Sequence, residues 1–233
     1  MRIIARYEKA DAVRYVSHLD LQRLLHRALR RAKLPIAYSN GFNPHPLISF
    51  AAALAVGQTS EAEWLEISLD SPMAPEEFAR LLNGALPAGV RVLEAFEAPE
   101  SRQTLSAMMA YASYRVTLRF SQAVDCDAFE GAVKALLSGP IAVTKRSKSG
   151  DKEVDLRPMI LSMEVLRCEG DSAELSVVGQ LNASGSLNVE LLMSALTESF
   201  GTNAQTRIHR DAIYAQSGGT LPVCPILNAI GEE

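Results

Sequence analysis

The order of strand-like and helix-like segments repeats once along the chain, which constrains the fold more than any other feature of the sequence. In the first half, apolar or alternating segments predict strands and a 3.6-residue period predicts helices. The predicted strands of this half are residues 2–8, 47–56, 62–70 and 90–97, and its predicted helices are residues 17–33 and 75–83. The second half has strand patterns at 114–120, 141–146, 153–167, 173–180 and 205–215, and helix patterns at 125–138 and after Ser186. We therefore predict an α+β fold of two ferredoxin-like βαββαβ halves, each an antiparallel sheet with helices on one face, with an extra hairpin in the second half.

Residues 98–110 (APESRQTLSAMMA) have little strand periodicity and separate the two halves. A chain of 233 residues with 48% apolar composition can bury the core that two such halves need. The C-terminal segment contains glycine and proline but no periodic apolar pattern, so we expect it to be extended or partly disordered. The predicted domains are residues 1–100 and 111–215, followed by a tail at 216–233.

The N-terminal segment MRIIARYEKADAVRY has charged residues within every apolar run, so it lacks the apolar core of a signal peptide. No stretch of the sequence is long and apolar enough to span a bilayer. We therefore expect a soluble, cytoplasmic protein with no membrane partner.

The three cysteines, Cys126, Cys168 and Cys224, are odd in number and far apart, so they indicate neither a disulfide framework nor a CxxC site. We expect each to be a small buried apolar residue. They are too widely spaced to hold an iron–sulfur cluster, and the sequence predicts no cofactor.

The net charge of −4 is unevenly distributed along the chain. Residues 1–50 contain nine basic and three acidic residues, whereas the remainder contains 14 basic and 24 acidic residues. Local potential attracts a polyanion more than net charge does, so the N-terminal half is a candidate surface for an anionic partner.

The helix at 17–33 presents an apolar stripe on one side, and an arginine face on the other. The stripe consists of Leu21, Leu24, Leu25, Ala28, Leu29 and Ala32. The arginine face consists of Arg23, Arg27, Arg30 and Arg31. Four exposed guanidinium groups suit a phosphate backbone, because each can donate two parallel hydrogen bonds and stays charged at any relevant pH. The alternative is a solvated basic surface, or one paired with acidic residues of the second half.

The segment after this helix is rich in groups that do not belong in a core, and we call residues 38–46 the polar loop. Gly41 permits a tight turn, while Pro44 and Pro46 stiffen the chain, so Tyr38, Asn43 and His45 would be presented rigidly. Such side chains can stack on an unpaired base and hydrogen-bond to it. The alternative is an ordinary turn with Phe42 anchored in the core.

His18 and His45 are candidates for acid–base catalysis, because an imidazole titrates near neutral pH. Asp20 is already explained as a first-turn residue favoured by the helix dipole. No pair among His18, Asp20 and His45 has a recognised metal-ligand spacing, so we predict no metal site.

A second basic segment, residues 145–157, has the pattern of a hairpin with Gly150-Asp151 at its tip. Its cations could contact phosphates, although a plain surface hairpin explains the pattern equally well. The candidate binding residues in this segment are Lys145, Arg146, Lys148 and Arg157.

Two motifs of the chain are familiar: VRYVSHLDLQRLLHRALRRAKLPIAYSNGFNPHP at 13–46, continued by SEAEWL at 60–65, and the DLRP of 155–158 that follows Lys145-Arg146. They resemble the radical-SAM-associated family, which occurs as a standalone protein and as a C-terminal extension of cobalamin-binding radical SAM proteins. No activity is established for that family, so the resemblance implies no catalytic residue.

The resemblance implies a partnership with a separately encoded radical SAM protein, because this chain has no cysteine cluster for that chemistry. It also implies RNA as the substrate class, since genes of the family often lie near those for ribosomal proteins and an endoribonuclease of the E/G type. We therefore expect a non-catalytic accessory that binds RNA and presents it to a modifying enzyme. Two alternatives remain, a metal-independent endoribonuclease that uses His18 or His45 and a subunit that only docks protein.

Overall fold

The computed structural model describes residues 1–98, 104–147, 150–215 and 224–225. These residues divide into two compact units. The first unit comprises the described residues of the ranges Met1–Met109 and Arg210–Glu233, and the second comprises the described residues of Ala110–His209.

The first unit has the predicted element order βαββαβ. Its sheet has the strand order β4–β1–β3–β2, and each neighbouring pair is antiparallel. The elements are β1 (Arg2–Lys9), α1 (His18–Arg31), β2 (Ile48–Phe50), β3 (Thr59–Ser68), α2 (Pro75–Asn83) and β4 (Val90–Glu97). A short helix, α3 (Leu105–Met108), follows. The predicted α+β class is confirmed.

The core of the first unit lies between the sheet and the two helices. Alternate residues of β1, including Ile3 and Ala5, pack against the predicted apolar stripe of α1 and against Phe78 and Leu82 of α2. Full burial of each large apolar side chain contributes about 1.5–3 kcal/mol. The arginine face of α1 therefore points away from this core.

α1 begins as the sequence predicts. The Ser17 hydroxyl accepts a hydrogen bond from the Asp20 backbone N–H (3.2 Å) and donates one to the Asp20 carboxylate (2.7 Å). The helix ends at Arg31, slightly before the predicted end, and Lys33 adopts a left-handed conformation with a φ of 52°. This conformation is typical of the residue that terminates a helix.

The second unit has the predicted order with an inserted hairpin, and β9 lies antiparallel between β5 and β8. Its elements are β5 (Met109–Phe120), α4 (Cys126–Leu137), the hairpin β6 (Ala142–Ser147) and β7 (Gly150–Asp155), β8 (Ile160–Glu169), β9 (Ser172–Asn182), β10 (Gly185–Ser186), α5 (Val189–Ser199) and β11 (Ala204–Ala215). The boundary between the units falls within β11, with residues 204–209 in the second unit and 210–215 in the first. Three rings, of Phe120, Phe129 and Phe200, pack edge to face in the core of the second unit.

Several predicted strands and one predicted turn differ from the structure. The predicted strand 47–56 shortens to β2, because the chain turns away at a run of small residues and reaches a φ of 88° at Gly57. The predicted strand 153–167 is two strands, β7 and β8, separated at Pro158, which cannot donate to a strand ladder. Gly150 and Asp151 pair within the hairpin and do not form its tip.

The predicted burial of unpaired cysteines is wrong for two of the three. Cys126, the first residue of α4, forms a disulfide bond with Cys168 of β8, with their Cα atoms 5.6 Å apart. Both residues are partly exposed. The sequence could not show this pairing, because 42 positions separate the two thiols and a third cysteine was available.

The predicted tail lies mostly outside the described residues. Within it, β12 (Cys224–Pro225) pairs antiparallel with Tyr214 and Ala215. Among the helices that the structure describes, none has both the length and the apolar character needed to cross a membrane.

Candidate nucleic-acid interface

The arginine face of α1 is exposed along its whole length. Arg23 lies 3.0 Å from the Asp20 carboxylate, an exposed ion pair of the kind that contributes little to stability. Arg27 donates from Nε to the Arg23 carbonyl (3.3 Å), and the guanidinium group of Arg30 makes no hydrogen bond within the described residues. Arg31 differs, since its Nη2 donates to the Ala85 carbonyl beyond α2 (2.5 Å).

These contacts divide the four arginines by role. Arg31 hydrogen-bonds to the connection between α2 and β4, so one of the donors of the Arg31 guanidinium group is used inside the protein. The Ser17 hydroxyl, followed by Arg23, lowers the pKa of Asp20, so this carboxylate is ionised at neutral pH and offsets the charge of Arg23. Arg27 and Arg30 are therefore the cations most available to a polyanion.

The polar loop is closed at its base by backbone and side-chain contacts. Tyr38 and Pro46 form an isolated β-bridge, and the Ser39 N–H donates to the His45 carbonyl (2.9 Å). The Ser39 hydroxyl accepts from the His45 N–H (3.1 Å) and lies 2.8 Å from His45 Nδ1. The loop is thus held by its own residues at the point where it leaves the fold.

The tip of the polar loop presents its side chains to solvent. Asn43 and His45 are exposed, Tyr38 is 45% exposed, and Phe42 is fully exposed at 106%. The alternative in which Phe42 anchors the loop in the core is therefore wrong. Gly41 has a φ of 129°, a conformation that other residues rarely adopt, so the turn before Phe42 depends on glycine.

The hairpin residues lie in the second unit, whereas α1 and the polar loop lie in the first. Lys145 is exposed, and in the backbone register of the hairpin it lies opposite Lys152, while position 146 lies opposite position 151. Lys148 lies outside the described residues. The guanidinium group of Arg157 donates to the carbonyls of Leu137 (2.7 Å) and Ile160 (3.3 Å), which indicates that it connects the hairpin to α4 and β8.

The two candidate catalytic histidines have separate surroundings. The ring of His18 packs edge-on against Phe50 with centroids 5.5 Å apart, and its Nε2 lies 2.9 Å from the Gln22 amide nitrogen. His45 contacts Ser39 instead. Within the described residues we find no contact that joins His18 to His45.

Protonation of His18 is expected to destabilise the fold. Burial lowers the pKa of His18 from its usual 6.5, and the charge of Lys9 lowers it further, while Glu63 opposes both. A depressed folded-state pKa gives stability that is present above the unfolded pKa and is lost as the pH falls through the folded pKa. We expect the drop in urea midpoint between pH 7.5 and pH 5.5 to be smaller in His18→Phe, which keeps the similarly shifted His26 but removes this group. An equal drop in both proteins would contradict this assignment.

The structure shows a buried ionic cluster that is not among the sites predicted from the sequence. Arg210 Nη1 lies 2.8 Å from Glu63 Oε1, and the two residues are 3% and 2% exposed. Arg210 Nη2 donates to the Ala53 carbonyl (3.4 Å), and the fully buried Lys9 Nζ donates to the Arg14 carbonyl (2.8 Å). Burial raises the pKa of the neighbouring Tyr7 well above its usual value, and Glu63 adds to this increase.

One feature of the sequence pointed toward this cluster. Every second residue of β1 from Ile3 to Lys9 faces the core. The cation Lys9 therefore occupies a core position. A buried cation requires a counter-charge. Glu63 and Arg210 come from positions too distant in the chain for the alternation to identify them.

A family model described as "Uncharacterized protein conserved in bacteria (DUF2344)" matches residues 2–192. The chain belongs to this family. The match includes α1, the polar loop and the hairpin, so all the candidate binding residues lie within the family region. No curated protein matches the chain.

Solved structures resemble the chain in fold. A chain in the structure titled "Crystal Structure of a Cbf5-Nop10-Gar1 Complex" has a TM-score of 0.51 and 10% identity, with 91% of this chain and 48% of that chain covered. A chain of an H/ACA RNP bound to a substrate RNA containing 2'-deoxyuridine has a TM-score of 0.48 and 10% identity, with coverages of 89% and 46%. The protein thus spans about half the length of these chains. At this identity the likeness concerns the fold alone.

Proposed function

We propose that this protein is a non-catalytic accessory that binds RNA through the arginine face of α1 and presents it to a separately encoded modifying enzyme. The observation that carries the proposal is the state of Arg27 and Arg30. Both are exposed, and neither has an ion-pair partner among the described residues. A helix that buries its apolar side and leaves such cations unneutralised is suited to a phosphate backbone.

The sequence around this face supports the same proposal. From residue 21 to residue 58 the chain carries five cations and no carboxylate. An uninterrupted positive segment attracts polyanions even though the whole protein is acidic. The enzyme that receives the RNA would be a radical SAM protein, as the motifs at 13–46 and 155–158 suggest by resemblance.

The test is retention of total cellular RNA by the purified chain across a salt series. We expect binding that weakens steeply with salt, because each phosphate that a cation neutralises releases a counterion. Arg27→Glu/Arg30→Glu should lose at least about tenfold in affinity, and the salt slope should fall by about 0.7 for each phosphate that the variant no longer neutralises. Arg31 is left intact in this variant because it also bonds the Ala85 carbonyl.

The matched control is Arg80→Glu/Arg91→Glu, which makes the same change of charge at exposed positions on α2 and β4. It should bind RNA nearly as the unaltered chain does. Equal losses of RNA affinity in both variants would show that the effect depends on net charge and not on the arginine face. Absence of RNA binding at low salt would overturn the proposal and would favour the alternative in which the arginine face docks an acidic protein surface.

A further inference from the structure

The most exposed large apolar side chain in the described residues is Phe42, at the tip of the polar loop. An isolated exposed apolar residue is common and by itself indicates nothing. Phe42 differs because the loop that carries it is constrained. The Ser39–His45 contacts and the Tyr38–Pro46 bridge close its base, and Pro44 limits the chain between them.

A constrained loop that holds an aromatic ring in water loses little conformational entropy when a ligand covers the ring. The exposed amides of Asn40 and Asn43 lie on either side of Phe42 in the chain, and each amide has both donors and acceptors. An aromatic face flanked by such amides matches the needs of a nucleobase, which stacks through its face and hydrogen-bonds through its edge.

We propose that the polar loop captures an unpaired nucleobase by stacking it on Phe42, so that the RNA contacts this protein through a single-stranded segment. This inference rests on the proposed function and specifies its substrate. Bases in a duplex are stacked on one another, and the deep major groove of A-form RNA excludes side chains. A single strand leaves its bases free for an aromatic side chain.

The charge of the surrounding chain favours a nucleic acid over an apolar protein pocket. The loop is the next exposed loop after α1 along the chain and contains no Lys, Arg, Asp or Glu of its own. Its base begins at Tyr38, seven residues after Arg31, so the fully extended connection is at most about 25 Å long. A single strand that lies along the arginine face can therefore extend to the loop with its phosphates on the cations and a base on the ring.

The test compares two fluorescein-labelled probes by anisotropy at one salt concentration, a 20-nucleotide oligouridine and a 20-base-pair RNA duplex. Phe42→Ala should weaken binding of the oligouridine about tenfold or more, the effect of losing one base–aromatic stack, and should change duplex binding less than about twofold. The control is Leu166→Ala, which removes a 55% exposed apolar side chain in the second unit and should leave both affinities unchanged.

Phe42→Trp provides a direct reading of stacking. The natural chain has one tryptophan, Trp64, which is 3% exposed, so fluorescence that oligouridine quenches in this variant originates at position 42. We expect retained affinity together with quenching by the single strand and little quenching by the duplex.

The outcomes separate this inference from the proposed function. If Arg27→Glu/Arg30→Glu weakens binding of both probes while Phe42→Ala changes neither, the stacking inference is overturned and the RNA-binding proposal stands. Equal weakening of both probes by Phe42→Ala also overturns it, since a stacking loop would distinguish them. If neither probe binds to the unaltered chain, both proposals fail, and Phe42 becomes a candidate anchor for a protein partner.

Discussion

Glu63→Ala is expected to lower the free energy of unfolding of the first unit by about 3–5 kcal/mol. The substitution leaves the guanidinium of Arg210 without the carboxylate that lies 2.8 Å away, at a site where both residues are almost wholly buried. Burial already lowers the pKa of Lys9, and Glu63 opposes that shift. Removal of Glu63 therefore lowers the pKa of Lys9 further and adds to the destabilisation.

Urea unfolding, monitored by the fluorescence of Trp64, measures this effect, since Trp64 is the residue next to Glu63 in the chain. The control is Glu97→Ala, which removes an exposed carboxylate from β4 and should change the free energy of unfolding by less than about 0.5 kcal/mol. Glu63→Leu/Arg210→Met should recover the part of the loss that comes from Arg210, because it removes the buried guanidinium together with its counter-charge, while the part that comes from Lys9 remains. A loss below about 1 kcal/mol for Glu63→Ala would show that water reaches the cluster.

Local patterns in the sequence are sufficient to predict α1 and its orientation. Its apolar stripe, its Ser17 cap and the exposure of its arginines follow from helical periodicity and first-turn hydrogen bonding, which depend only on neighbouring residues. The polar loop was also recognisable, since Gly41, Pro44 and Pro46 are turn residues. The exposure of Phe42 was not, because an aromatic residue in a loop is compatible with either an anchor or a free tip.

Contacts between residues far apart in the chain cannot be predicted from local sequence patterns. Lys9, Glu63 and Arg210 lie on three different strands, and no periodicity relates them. The different role of Arg31 also depends on a distant contact. Its guanidinium group donates to the Ala85 carbonyl, 54 positions further along the chain, whereas Arg27 and Arg30 have no such contact within the described residues. Periodicity identifies which face of an element is polar, and tertiary contacts decide which polar groups remain available to a partner.

The Cys126–Cys168 bond is expected to stabilise the second unit by about 4 kcal/mol, the chain-entropy value for closing a loop of this length. The bond attaches the first turn of α4 to β8, and α4 buries Phe129 and Val133 in the core. Disulfides are uncommon in the reducing cytosol. The bond and the expected cytoplasmic location therefore predict opposite oxidation states for these thiols in the cell.

The measurement uses a Cys224→Ser background, so that no other pairing can form. Urea unfolding followed by circular dichroism should show the oxidised chain to be about 4 kcal/mol more stable than both its reduced form and the Cys126→Ala/Cys168→Ala variant. Agreement between the reduced form and the variant would assign the difference to the bond rather than to side-chain packing. Two titratable thiols in the denatured, unreduced protein would show that the bond does not form, and the stability of the second unit would then depend on its core alone.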